Sequence, residues 1–541
     1  MGAGTPGRTG GESDTGPGAD ARHPGGGERE VDAGDDGAGL NAAQREAVAH
    51  REGTLLILAG AGSGKTRVVA ERIGALLDGG FATPQEILAV TFTNKATDEL
   101  RERVAARVGP AAREATIGTF HAVAAKLLRA RCKQLGLPQF TIKDDSDREK
   151  VLKELLRDTQ ARADARAGPD ADADIGAGAA GTRAGVAARG QGTRARGTGQ
   201  GTGGLVQGSL FDDAPRAAPP AAASLTEEER VLPPGLDLLP QLAPADVAAA
   251  IARAKQRLIR PGDLPMESPA DALMGWLYAA YQARMARLNA LDFDDLLARL
   301  AWILQDNPRT TRALSAGYRY VLVDEYQDTN HAQHALVGLL GGFHGNICVV
   351  GDDDQAIYAW RGGDLAHMLG FEEEYRGTRT VALERNYRSS GAILAAAHAL
   401  VEPIGARHRK RLWTSRPRGE RIGLHLAADG EEEARWVVAA AQASGAMGGP
   451  GPGDTAVLYR TNVQSRPLEE ACLAAGVPYA LVGGVRFASR REIRDLVAYL
   501  QVLMNPRDDL ALGRILNVPA RGLGERAAAG LHTSRKLTPP F

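Results

Sequence analysis

Eight residues, Ala59-Gly60-Ala61-Gly62-Ser63-Gly64-Lys65-Thr66, join small side chains to a lysine and a hydroxyl. Small residues let backbone N–H groups close around phosphoryl oxygens. Lys65 can then reach β- and γ-phosphates, and the Thr66 hydroxyl can bind Mg²⁺. The usual first glycine of such a loop is Ala59 here. A glycine-rich turn with an incidental lysine is the alternative. The flanking sequence argues against it: the apolar run LLIL predicts a buried strand before the loop, and RVVAERIGALL predicts a helix after it. The new helix adds the positive end of its dipole to the cradle.

Further candidates lie at the ends of other apolar runs. YRYVLVD (318–324) predicts a strand that delivers Asp324 and Glu325 side by side. Asp324 suits Mg²⁺, and Glu325 suits orienting and deprotonating an attacking water. NICVV (346–350) precedes GDDDQAIYAWRGG, where Gln355 can sense a γ-phosphate. Thr380–Leu383 leads to ERNYRSS, in which Tyr387 can stack on adenine and Arg388 can reach the γ-phosphate as an arginine finger. Gln44 sits in a helix, AAQREAVAH, that Asn41 can cap. Its amide can pair with the N6 donor and N7 acceptor of adenine, or it is simply a solvated side chain.

A second set suits unpaired nucleic acid. Tyr358, Trp360 and Arg361 combine aromatic faces with a cation, a grouping that stacks on exposed bases. EILAVTFT and ATIGTFH predict two more strands, with Phe92, Asn94 and His121 near their ends. Phe92 can stack on a base or pack into the core. Asn94 and His121 can hydrogen-bond a phosphodiester backbone.

These groups need a scaffold that brings strand ends together. Strands alternating with helical patterns predict an α/β fold with a parallel sheet, whose ligands gather beyond the carboxyl ends of the strands. The 541 residues carry 65 basic against 66 acidic side chains, net −1, so any nucleic-acid site is local. Cys132, Cys348 and Cys472 are too scattered for a metal or disulfide framework, as expected in a reducing cytoplasm. No apolar run reaches the roughly 18 residues of a membrane span, and the polar N-terminus has no signal-peptide core. Residues 1–39 are Gly- and acid-rich and are expected to be disordered; 160–225 is an Ala/Gly/Arg-rich insertion, expected to be a flexible linker.

In order, LNAAQREAV, AGAGSGKT, TFTNKATDEL, GTFHA, LDFDDLL, VDEYQDTN, VGDDDQAIYAWRGG, LERNYRSS, AVLYRTNVQSR and VGGVRFASRREIRD resemble the motifs of superfamily 1 DNA helicases, most closely the UvrD/PcrA/Rep group. The resemblance covers about 40–145 and 285–525. It implies two RecA-like P-loop domains, 1A and 2A, with helical insertions 1B and 2B, using ATP and Mg²⁺ between 1A and 2A. It implies 3′–5′ movement on single-stranded DNA and unwinding at single/double-strand junctions, in repair or replication restart, with repair proteins as partners. The motifs place Gln44, Lys65, Thr66, Arg67, Asp324, Glu325, Gln355, Tyr387 and Arg388 at the nucleotide, with Arg67 beside the base. They place Phe92, His121, Phe293, Tyr358, Trp360 and Arg361 on the DNA strand.

The implied domains are a disordered tail (1–39), 1A (40–143 and 285–378), 1B (144–284), the first part of 2A (379–487) and the start of 2B (488–541). The family's T-x-H-x-x-K-G-L-E-like and E-E-x-R-R-L-like motifs are not found, so the chain is expected to be C-terminally truncated. Two alternatives to a complete helicase follow. One is an ATP- and DNA-binding fragment that does not unwind; the other is the motor of a helicase–nuclease, whose clustered nuclease carboxylates are not seen.

Overall fold

The computed structural model describes residues 39–131, 137–166, 232–405, 407–446, 449, 451–482 and 491–523. The tail at 1–38, most of the 160–225 insertion and the GGVRFASR segment lie outside the described residues.

Six strands form one sheet, in the order β3-β2-β6-β7-β1-β8. They are β1 (Leu55–Ala59), β2 (Ile87–Thr91), β3 (Thr116–Thr119), β6 (Tyr320–Val323), β7 (Ile347–Gly351) and β8 (Arg379–Leu383). Every pairing is parallel. All six carboxyl ends therefore open on one edge, as ligand binding by such a sheet requires.

Both faces of the sheet are covered, so its strands are apolar throughout rather than alternating. Leu56, Leu58, Leu88, Val90, Val321, Val323 and Val349 point to one face. They meet Phe120, Val123 and Leu127 of helix α4 (Phe120–Ala130), Leu296 and Leu300 of helix Phe293–Asp306, and Leu336 and Leu340 of helix His331–Gly341. Leu55, Ile57, Ile87, Ala89, Leu322, Cys348 and Val350 point to the other. There Val68, Val69 and Ile73 of helix α2 (Lys65–Asp78) and Leu100 and Val104 of helix α3 (Asn94–Val108) close the layer.

Three details differ from the sequence reading. His121 lies inside α4, because Thr119 accepts the Ala122 N–H and so starts the helix before it. LDFDDLLARLAWIL (291–304) reads from its pattern as one helix with an acidic start, but the stretch opens with a short strand, β5 (Ala290–Asp292), that pairs with β4 (Thr141–Lys143), and the helix begins only at Phe293. The strand expected to open domain 2A, β8, pairs instead with β1 in the first sheet. Its backbone groups find a ready neighbour there.

Beyond β8, EEEARWVVAAAQ and SRPLEEACLAAG read as helices, and the helices Gly430–Ala446 and Ser465–Ala474 form there. RIGLHLAA and TAVLYR read from their apolar runs as strands of a second α/β pattern, but neither they nor VPYALV join a ladder among the described residues. Leu424, Leu426, Leu458 and Val482 stand 85–91% exposed. A strand needs a neighbour for its backbone groups, and these segments have none among the described residues.

The insertion between β4 and β5 is helical. Helix α5 (Asp145–Arg166) packs with helices Pro244–Gln256 and Pro269–Arg287 around Leu152, Ile251, Leu277 and Tyr281. The later helices Arg491–Met504 and Asp509–Ile515 dock beside it. Buried Lys143 holds both oxygens of buried Asp508 at 2.7 Å, and the Thr141 hydroxyl donates to the same carboxylate at 2.9 Å. Asp508 also caps its own helix by accepting the Ala511 N–H. Either charge alone would be buried without compensation.

Candidate nucleotide site and strand-binding edge

The cradle forms where β1 hands over to α2. Ala59 is the last, fully buried residue of the strand. Its backbone is not left-handed, which is why alanine serves where glycine is usual. Gly62 and Gly64 are different, with φ of 68° and 88°. A Cβ at Gly62 would come within 2.8 Å of Asn386 and Arg388, and one at Gly64 within 3.1 Å of Gln44. Gly64 is the N-cap of α2, so Lys65, Thr66 and Arg67 form its first turn. The first turn of a helix leaves its N–H groups without carbonyl partners inside the helix, at the positive end of the dipole. The Ser63 hydroxyl is buried without a partner among the described residues. Two glycines a side chain would obstruct, an orphaned hydroxyl and a helix N-terminus fit a polyphosphate.

Opposite the cradle, β6 delivers the two carboxylates. Lys65 Nζ pairs with Glu325 Oε2 at 2.8 Å. Glu325 adopts φ of 52°, a left-handed conformation that costs a non-glycine residue about 1–3 kcal/mol. That strain turns its carboxylate toward Lys65. Asp324 is 5% exposed and accepts the Glu325 N–H at 3.0 Å. Burial, with the Glu325 charge beside it, pushes Asp324 up to about 6.

Residues from β8 close the other side. Asn386 is buried; its Nδ2 donates to Ala61 O at 2.6 Å, and its Oδ1 accepts the Arg388 and Ser389 N–H groups. The Tyr387 N–H donates to Gly62 O at 2.9 Å, and its hydroxyl accepts from Asn41 Nδ2 at 2.9 Å. Arg388 is exposed beside Gly62. Gln44 is buried, and each end of its amide has one partner: Nε2 donates to Ser63 O at 2.9 Å, and Oε1 accepts the Asn41 N–H at 3.0 Å. In this structure Gln44 braces the loop. Gln355 donates to Asp352, which holds its amide on its own loop.

Sequence reasoning missed Asn386 and Gln327. Gln327 Nε2 donates to Glu325 at 2.8 Å, and its Oε1 accepts the Asp352 N–H at 2.9 Å. It therefore joins the DEYQD loop to the GDDDQ loop. The signal available was an amide following each charged cluster.

The aromatic residues gather along the same edge. Phe92 is half-buried, with its ring 4.7 Å from that of Tyr358. Tyr358 lies 6.3 Å from Trp360, and the Arg361 guanidinium sits 4.8 Å above the Trp360 ring. Trp360 is 70% exposed. His121 and half-exposed Phe293 form a second pair, 6.1 Å apart. Burial lowers the His121 pKa, favouring a neutral ring. Asn94 is exposed at the first residue of α3.

A doubly wound parallel sheet with this cradle and an acidic pair one loop away has the arrangement of a P-loop nucleotide-binding fold. The family models narrow it. The UvrD/REP helicase N-terminal domain matches residues 40–376, and the UvrD-like helicase C-terminal domain matches 381–538. The chain is 39% identical over 505 residues to the ATP-dependent DNA helicase UvrD1 of Mycobacterium tuberculosis, covering 91% of this chain and 56% of the relative. It is 35% identical over 497 residues to the ATP-dependent DNA helicase PcrA of Staphylococcus epidermidis, covering 91% and 58%. The PcrA of Staphylococcus aureus is 35% identical over 488 residues, with 90% and 56% covered. The chain belongs to the UvrD/REP helicase family, and it spans a little over half the length of these relatives.

Proposed function

We propose that the chain is the ATP-driven motor of a 3′–5′ DNA helicase, acting on single-stranded DNA and at single/double-strand junctions in repair or replication restart. The observation that carries this is the Lys65–Glu325 pair at 2.8 Å. It sets the phosphate-binding lysine against the water-activating carboxylate on the edge that also carries Phe92, Tyr358 and Trp360. In the proposed assignment Lys65 and the N–H groups of 60–66 hold the phosphates, while Arg388 approaches from β8. Tyr387 and Arg67 flank the base, and Gln44 serves both the adenine edge and the loop. Thr66 and Asp324 would hold Mg²⁺, which when bound neutralises charge on the phosphoryl oxygens. Glu325 accepts the proton of the attacking water. Phe92, Asn94, His121, Phe293, Tyr358, Trp360 and Arg361 receive the strand. Among the described residues no helix is long and apolar enough to cross a membrane, and we place the protein in the cytoplasm with repair proteins as partners.

The exposed Leu424, Leu426 and Leu458 favour a second reading, a chain that binds ATP and DNA but does not unwind alone. One experiment decides between them. ATP hydrolysis by the purified chain is measured with and without single-stranded DNA, beside strand separation on 3′-tailed and 5′-tailed duplexes. The first reading expects DNA-stimulated hydrolysis with separation of the 3′-tailed duplex alone, and the second expects no separation of either duplex. Separation of the 3′-tailed duplex would remove the second reading, and hydrolysis indifferent to DNA would remove the first.

Trp360→Ala is expected to weaken single-stranded DNA binding by about 1–3 kcal/mol, the range for one base–aromatic stack, while ATP affinity without DNA stays the same. Fluorescence anisotropy with a labelled oligonucleotide checks it. The reverse pattern would make Trp360 a packing residue.

A further inference from the structure

Behind the nucleotide site lies a buried cation that the proposed chemistry does not use. The Lys410 side chain is 1% exposed. Its ammonium sits 2.7 Å from Asp352 and 3.2 Å from Asp354, and it also pairs with Asp353. Arg407 adds two bonds to Asp354 at 2.7 Å, and the His408 N–H donates to Asp353. These three successive carboxylates lie close enough together to hold a metal ion. Here a lysine from a segment far along the chain occupies that role.

The segment carrying Lys410 also touches the phosphate loop and the residues that brace it. Leu412 packs directly over Gly60, in the space a Cβ there would need. The Trp413 N–H donates to Glu384 O at 2.9 Å, and its carbonyl accepts the Asn386 N–H at 2.8 Å. Asn386 in turn holds Ala61. A second connection runs through side chains. Lys65 binds Glu325, Gln327 bridges Glu325 to the Asp352 N–H, and Asp352 binds both Lys410 and Gln355. The same loop then continues to Tyr358 and Trp360. Just past Trp360, the Asp364 N–H donates to Thr329 O at 3.0 Å and ties that end to the acidic loop.

We propose, on the motor reading above, that Lys410 is a positioning residue that couples occupancy of the phosphate cradle to the aromatic strand-binding loop. Phosphates compete with Glu325 for Lys65. A released Glu325 loosens its hold on Gln327, and through it on the Asp352 backbone. Lys410 is the fixed point of this chain: it holds the three carboxylates together, so a shift at Asp352 moves the whole Asp352–Trp360 loop. Without the ammonium, three adjacent carboxylates repel one another, and a shift at the acidic loop no longer reaches the aromatic end.

The test is a linkage measurement on the whole chain. The affinity for a labelled single-stranded oligonucleotide is measured with and without a non-hydrolysable ATP analogue. The unaltered chain should show a coupling factor in the range of about 5–150-fold typical of linked sites. Lys410→Met should bring that factor close to one while each ligand alone binds as before, and Lys410→Arg should restore most of it. If Lys410→Met fails to fold, Lys410→Met combined with Asp353→Asn removes one cation and one anion together; it should fold and remain uncoupled. Unchanged coupling in either methionine variant, or no coupling in the unaltered chain, overturns the role of Lys410. An unaltered chain that binds neither ligand overturns the motor reading itself, so the two failures are distinguishable.

Discussion

Lys65→Ala lowers ATP turnover by at least about 10²–10³-fold, the cost of removing one preorganised group that meets developing charge. Two losses combine. Negative charge on the phosphates loses its cationic partner, and charge-assisted hydrogen bonds are among the stronger ones. Glu325, which shares Lys65 at 2.8 Å, also loses the group that orients it, leaving Gln327 alone to hold its Oε2. The variant should fold, because Lys65 opens its helix beside the cradle and the sheet core does not include it. Nucleotide affinity and single-turnover hydrolysis, measured together, check this. Wild-type turnover in the variant would sink the phosphate-cradle assignment.

Glu325→Gln is the complementary experiment. The amide is nearly isosteric and meets the same left-handed backbone at φ 52°, so the loop should survive. It cannot accept a proton from water. Loss of a positioned general base costs about 10²–10⁴-fold in rate. Nucleotide affinity should hold or rise, because Lys65 no longer has a charged competitor for the phosphates. Rapid-quench turnover beside equilibrium nucleotide titration separates the outcomes. Weakened binding with intact hydrolysis would mean that Glu325 orients Lys65 and does no chemistry.

The cradle was legible in the sequence because every part is local. An apolar run, small residues and Lys65-Thr66 opening a helix are all written within a dozen or so residues. The alternation that predicted the sheet was legible for the same reason, and the two buried faces explain the unbroken apolar strands. What stayed hidden depends on contacts between distant residues. An amide after a charged pair marks Asn386 only as polar, and nothing near it or Lys410 names the distant partner: one clamps Ala61 and the other sits among three aspartates. β5 is three residues long and is recognisable only beside β4. Phe92 could be read as core or as platform; it is half-buried against Tyr358 and open on the same edge. The apolar segments around Leu424 and Leu458 read as strands from pattern alone, but pattern does not supply a neighbour.

The order of the sheet bears on how the protein is made. β1 carries the cradle, yet its neighbours are β7 and β8, residues 347–351 and 379–383. During synthesis Leu55–Ala59 leaves the ribosome early and waits for both partners. With elongation at about 5–20 residues per second, the delay is tens of seconds, long beside hydrophobic collapse. Throughout it, a fully apolar strand and its glycine loop are available to the wrong partners. The nascent chain is thus most vulnerable to misassembly in the interval before β8 emerges, and a chaperone that shields it has to hold the N-terminal portion until then.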